Sequence, residues 1–216
     1  MNDVAHDRPS FAARNPFRSD AIRPGVVAYR HRPGESAAVL CDRLEELQGR
    51  AQIVGPHGTG KSTLLAELLP ALLGRGWRVT FWRHQGGVCS REEILPARPA
   101  AKMLWIVDGF EQFAFWRRAA FRASAWWQRC GLLVTTHHDV GLPTLARTGV
   151  AVETAWSIVR ELTEQPGAVA CVNREDVAQA LAQARGNLRD ALFALYDLYE
   201  LRRPAAMRKS RGASPT

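Results

Sequence analysis

The eleven residues Ile53-Val54-Gly55-Pro56-His57-Gly58-Thr59-Gly60-Lys61-Ser62-Thr63 constrain this chain more than any other stretch. They satisfy the phosphate-binding pattern G-x-x-x-x-G-K-[ST] at each required position. Glycines at 55, 58 and 60 free the backbone to curl until successive N–H groups point inward at a phosphate chain. The flanks are the ones this loop needs. Ala51 to Val54 reads as a buried strand, and Leu64, Leu65, Leu68, Leu69, Leu72 and Leu73 recur at the spacing of a following helix. Strand, loop and helix together predict an α/β architecture in which Gly55, Pro56, His57, Gly58, Thr59, Gly60, Lys61, Ser62 and Thr63 hold phosphate groups, with Lys61 on the terminal ones.

Composition narrows the alternatives. The 216 residues suffice for one α/β domain with a modest appendage. Cys41, Cys89, Cys130 and Cys171 are scattered and form no C-x-x-C pair, which argues against a zinc site or a disulfide framework. There is no 18-residue apolar run, and MNDVAHDRPS lacks the apolar core of a signal peptide, so a soluble, cytoplasmic protein with no membrane partner is expected. The formal net charge is +8, almost all of it arginine, with lysine only at 61, 102 and 209. Positive charge attracts phosphate backbones, which keeps a nucleic-acid partner open.

Along the chain, residues 1–34 read as an extended strap punctuated by Asn15-Pro16, Arg23-Pro24-Gly25 and Arg32-Pro33-Gly34. Phe17, Ile22, Val26, Val27 and Tyr29 are its available anchors. A nucleotide-binding core is expected over residues 35–150, opened by a helix from Glu35-Ser36 to about Gln48. Trp77 to Trp82 alternates as a strand, and residues 84–100 read as a loop with a short helix. Met103 to Asp108 reads as a central parallel strand, Glu111 to Cys130 as a helix, and Gly131 to Thr135 as another buried strand. Pro143 to Thr148 supplies a short fifth strand. Residues 151–204 are helical throughout, with Asn173 and Asn187 as helix caps and Pro204 as the stop. Residues 205–216 read as a disordered basic tail.

Several polar residues fall where the strands of an open sheet end, which is where such sheets bind ligands. Magnesium takes oxygen ligands, so Ser62 and Asp108 form the expected metal pair; otherwise Asp108 only caps a turn. Glu111 reads either as a base that activates water or as a favourable acid in a helix's first turn. Thr136 and His137 read either as groups that feel a γ-phosphate or as a polar passage from strand to loop. Arg189 reads either as a phosphate contact from a small helical lid or as a solvated arginine. Trp116, Arg117, Arg118, Phe121, Arg122, Trp126, Trp127 and Arg129 have the make-up of a single-strand binding surface. Their helical spacing equally suits aromatics packed on the sheet with arginines in water, and that second reading is preferred.

Taken in order, GPHGTGKS (55–62), MLWIVDGFEQ (103–112), LLVTTHH (132–138) and GNLRD (186–190) resemble the phosphate loop, acidic strand, first sensor and second sensor of AAA+-type P-loop ATPases. The resemblance implies a three-layer fold with a parallel sheet of order 5-1-4-3-2 and a small C-terminal helical lid. It also implies ATP and magnesium as ligands, site roles for Lys61, Glu111, Thr136, His137 and Arg189, and frequent assembly into rings. That family usually has its two acids adjacent, whereas here Asp108 is followed by Gly109 and the next acid is Glu111, a spacing closer to the NACHT type. No arginine finger is identifiable beyond a weak candidate, Arg147. The expected activity is a magnesium-dependent ATPase whose nucleotide state moves the lid and signals to a partner protein, with a homo-oligomer also expected. The alternatives are a nucleotide-binding switch with little turnover, a small-molecule kinase and a nucleic-acid-associated ATPase.

Overall fold

The computed structural model describes residues 15–22, 26–85, 88–95, 102–164, 168 and 171–212, with the backbone alone for 84, 85, 88, 89 and 205–212. These residues divide into two units, Arg23–Val150 and the combination of Met1–Ile22 with Ala151–Thr216.

The unit Arg23–Val150 is built on β1 (Arg50–Val54), β2 (Trp77–Gln85), β3 (Val88–Ile94), β4 (Lys102–Asp108), β5 (Gly131–Thr136) and β6 (Thr144–Arg147). Its helices are α1 (Ala37–Glu46), α2 (Lys61–Gly74) and α3 (Phe115–Trp127). The strands lie in the order β3-β2-β4-β5-β1-β6, all parallel to their neighbours except β3, which pairs antiparallel with β2. The sheet is therefore mixed, and its order differs from the all-parallel, five-strand 5-1-4-3-2 arrangement expected from the resemblance.

The difference arises within residues 84–100, where a loop with a short helix was expected and β3 is found instead. The antiparallel register runs from Val79↔Ile94 to Gln85↔Val88. Gly86-Gly87, like residues 96–100, lies outside the described residues, and Gly-Gly in the sequence is a turn signal that also marks a strand pair. β3 looks unlike a strand in sequence because an edge strand has one neighbour and faces water. Arg91, Glu92 and Glu93 are exposed on it, and Glu93 accepts from Arg78 of β2 at 3.0 Å.

Alternate side chains of the central strands enter two interiors. On one side Leu40, Cys41 and Leu44 of α1 and Leu64, Leu65, Leu68 and Leu72 of α2 pack on Ile53, Val79, Leu104, Ile106 and Leu133. On the other, Ala125 of α3 packs with Val107, Phe110, Phe113, Leu132 and Val134, and Phe121 lies against them. This gives helix, sheet and helix in three layers. α1 opens where Ser36 accepts the Val39 N–H, as its sequence predicts. The helix expected from Glu111 to Cys130 starts late. A 3-10 turn, Phe110–Gln112, comes first, and Phe113 is extended before α3 begins. Burying both Phe110 and Phe113 against Phe121 needs that break in the spiral.

The second unit holds α4 (Val152–Thr163), α5 (Arg174–Gln183) and α6 (Leu188–Gly212). Asn15-Pro16-Phe17 belongs here. Phe17 meets Tyr199 edge-on at 5.8 Å, and the Asn15 amide donates to the Tyr196 carbonyl and to Glu200. Asp176 receives both nitrogens of Arg202, at 2.6 and 3.0 Å. α6 continues past Pro204, where a stop was expected. A helical proline forgoes one N–H and crowds the carbonyl four residues back, a cost of about 3 kcal/mol that this helix bears. Residues 205–212 of the expected tail are thus helical, and 213–216 lie outside the described residues, as do 1–14 of the strap. Among the described residues no helix is long and apolar enough to cross a membrane.

Candidate nucleotide-binding site

β1, β4 and β5 run parallel, so Val54, Asp108 and Thr136 end at one edge of the sheet. The loop leaves β1 at Gly55, whose N–H donates to the Thr136 carbonyl at 3.1 Å. Nothing but glycine fits there, because a Cβ would lie 2.1 Å from Thr148 Oγ1 and 2.6 Å from its carbonyl oxygen. Gly60 has φ +92° as the N-cap of α2, a left-handed conformation that side chains disfavour. The Thr59 hydroxyl donates to the Pro56 carbonyl at 2.8 Å and meets the Thr148 hydroxyl at 2.7 Å. Thr148 N–H also donates to Val54, so residues beyond β6 brace the loop. The Tyr29 ring lies close to Gly60.

Lys61 is buried within this curl, its ammonium donating to the Gly55 and Pro56 carbonyls at 2.6 and 2.7 Å. Burial holds its pKa below the ordinary lysine value, and the Glu111 and Asp108 carboxylates partly oppose that. Ser62 Oγ donates to Asp108 Oδ2 at 3.0 Å. The other oxygen, Oδ1, accepts from Thr135 Oγ1 at 2.6 Å, and that hydroxyl in turn accepts the Gly109 N–H at 2.8 Å. Arg83 Nε stands 3.8 Å from Asp108 Oδ2. A hydroxyl and a carboxylate are the hard-oxygen donors magnesium takes, with phosphates and water filling its remaining positions. Among the described residues no group of three or more His, Cys, Asp or Glu side chains is arranged to hold a metal on its own.

Glu111 and His137 meet beside the loop, with His137 Nε2 3.2 Å from Glu111 Oε1. That contact lacks hydrogen-bond alignment, and both Glu111 oxygens are buried without a hydrogen-bond partner among the described residues. The His137 ring also meets the ring of His57, with centroids 3.4 Å apart. Burial first, and then Lys61, lower the His137 pKa, while Glu111 pulls the other way. The imidazole is thus biased toward its neutral form.

The loop, Ser62, Asp108, Glu111 and His137 therefore come together. Thr136 is fully buried, and its hydroxyl donates to the His138 carbonyl. Arg189 belongs to the helical unit, in the exposed first turn of α6, where its N–H donates to Asn187 Oδ1. Sequence reasoning passed over Thr135, Thr148 and Gln52. The buried Gln52 amide donates to Asp139 and to the Leu142 carbonyl and accepts from Val140 N–H, pinning the loop that carries His137. A glutamine within the apolar run of β1 was the available signal.

No protein-family model matches the chain. The chain is similar to the thymidylate kinase of Bacillus cytotoxicus, 48% identical over 42 residues. That stretch is 19% of this chain and 20% of the kinase, so the chain spans about a fifth of the length of the curated relative it matches. The three-layer α/β unit with its mostly parallel sheet is compatible with a P-loop NTPase.

Proposed function

We propose that the chain binds ATP at Gly55–Thr63 and hydrolyses its terminal phosphoanhydride with magnesium. The observation that carries this reading is the buried Lys61 ammonium inside the loop, with Ser62 and Asp108 bonded beside it. A buried cation that burial itself disfavours is a receptor for a polyphosphate, whose charge offsets the lost hydration. Lys61 exchanges the Gly55 and Pro56 carbonyls for β- and γ-phosphate oxygens. Ser62 and Asp108 hold magnesium, which when bound neutralises charge on those oxygens. Glu111 takes the proton of the attacking water, and neutral His137 orients that water with it. Arg189, on the helical unit, reports nucleotide state to a protein partner.

Calorimetric titration of Lys61→Ala with magnesium-ATP tests the core of this reading. A charge-assisted hydrogen bond is worth about 1.5–3 kcal/mol, so affinity falls roughly 10- to 100-fold. Unchanged affinity overturns it. The similarity to thymidylate kinase supports a second reading, phosphoryl transfer to a small acceptor. ADP release that depends on added thymidylate, with a phosphorylated acceptor as product, would establish that reading over hydrolysis.

A further inference from the structure

At the amino-terminal ends of β1 and β5 lies a groove of about 580 Å³, lined by Gln48, Arg50, Trp126, Trp127, Arg129 and Cys130. It is separated from the phosphate loop by the length of β1, roughly 13 Å at the rise of a strand. We propose that this groove, continued along the outer face of α3, binds single-stranded nucleic acid, with bases stacked on the indoles and phosphates paired to Arg50 and Arg129. This rests on none of the chemistry assigned to the loop.

Four observations point the same way. Trp116, Trp126 and Trp127 are 61%, 65% and 81% exposed, although the amphipathic reading of α3 would pack its aromatics on the sheet. Phe121 and Ala125 do the packing instead, leaving the indole faces open. Secondly, no carboxylate pairs with Arg50 or Arg129 among the described residues, whereas Arg75, Arg78, Arg174 and Arg202 each have one. No acid occurs between Glu111 and Asp139, so the charged side chains from α3 to β5 are all basic.

Thirdly, Gln48 and Arg129 have φ of +53° and +50°, just after the C-caps of α1 and α3, where glycine is the usual residue. Among the described residues Arg185 shares this conformation just after the C-cap of α5 and does not line the groove; at Gln48 and Arg129 the strained position keeps a long polar side chain lining it. Fourthly, Trp116 carries the Arg117 guanidinium 5.1 Å from its ring at the other end of α3. That places a second aromatic–arginine station roughly 15 Å along the helix. A stacking surface interleaved with arginine is what a single strand needs, whereas an acidic peptide needs only the charge.

The test titrates the full chain with labelled oligothymidylate and oligouridylate of about twenty nucleotides, following anisotropy and tryptophan fluorescence. Binding is expected to quench tryptophan and to weaken steeply with salt. Preference between the two oligomers, which differ in the sugar and in the thymine methyl, leaves the proposal standing. The double variant Trp126→Leu/Trp127→Leu keeps the charge and should weaken binding at least tenfold while keeping the parent's melting temperature. Arg129→Gly should weaken binding several-fold yet raise the melting temperature by roughly 1–3 °C as the strain is released. No binding at low salt, full affinity in the double tryptophan variant, or equal quenching by polyglutamate each overturns the proposal. A lower melting temperature for Arg129→Gly overturns the functional meaning given to that strain.

Discussion

The Thr135 hydroxyl donates to Asp108 and accepts from the Gly109 N–H, so it aims the carboxylate that faces Ser62. In Thr135→Val both groups lose that partner while the side-chain volume is kept. The expected cost is about 1–3 kcal/mol in chemical denaturation, largely restored by Thr135→Ser. A valine variant as stable as the parent would remove this role. Glu111 and His137 form the other informative pair. The His137 pKa lies below the ordinary histidine value of 6.5, so its contribution to stability is complete above that pH and is lost as pH falls through the lowered value. Turnover should fall on the same acid limb and be flat near neutrality. Glu111→Gln should cut single-turnover hydrolysis about 10²-fold. It should also move the acid limb to lower pH, because Glu111 is what holds the imidazole's proton affinity up. An acid limb displaced to higher pH would refute the pairing.

Elements whose ends are set by local chemistry were legible in the chain. Asn173 accepts from Asp176 N–H and the Asp176 carboxylate accepts from Asn173 N–H, a reciprocal capping box at the predicted start of α5. Asn173→Ala should lower stability by about 1 kcal/mol, read as a melting shift of the helical unit, and no shift would mean that packing alone defines the helix. Elements defined by distant partners were less legible. β3 hides behind a charged sequence because, among the described residues, it pairs with β2 alone. The late start of α3 follows from Phe110 and Phe113 sharing one apolar interior with Phe121. Which threonine meets Asp108 is a question of register. Val107 pairs with Val134, so the next residue on each strand brings Asp108 beside Thr135, and Thr136 is left to cap its own strand end. Two adjacent threonines cannot be told apart without that pairing.

For the whole molecule, ligand linkage separates what each unit does. ATP at about 100 times its Kd stabilises the unit that binds it by about 2.7 kcal/mol. Hydrogen exchange should therefore slow across residues 55–63 and 108–111 on adding magnesium-ATP. Protection of residues 188–192 that disappears in Arg189→Ala would support the proposed coupling, and identical exchange there with and without ATP would end it. By itself the sequence determined the loop that we propose as the phosphate cradle, because its pattern is contiguous: three glycines, a lysine and a serine stand within eight residues between an apolar run and a leucine-striped one. Tertiary structure alone decided what stands around that loop. Thr148 braces Gly55, Gln52 pins the segment bearing His137, and Glu111 is buried against that imidazole. Each contact joins residues far apart in the chain, and their meeting depends on strand order and register, which no local pattern encodes.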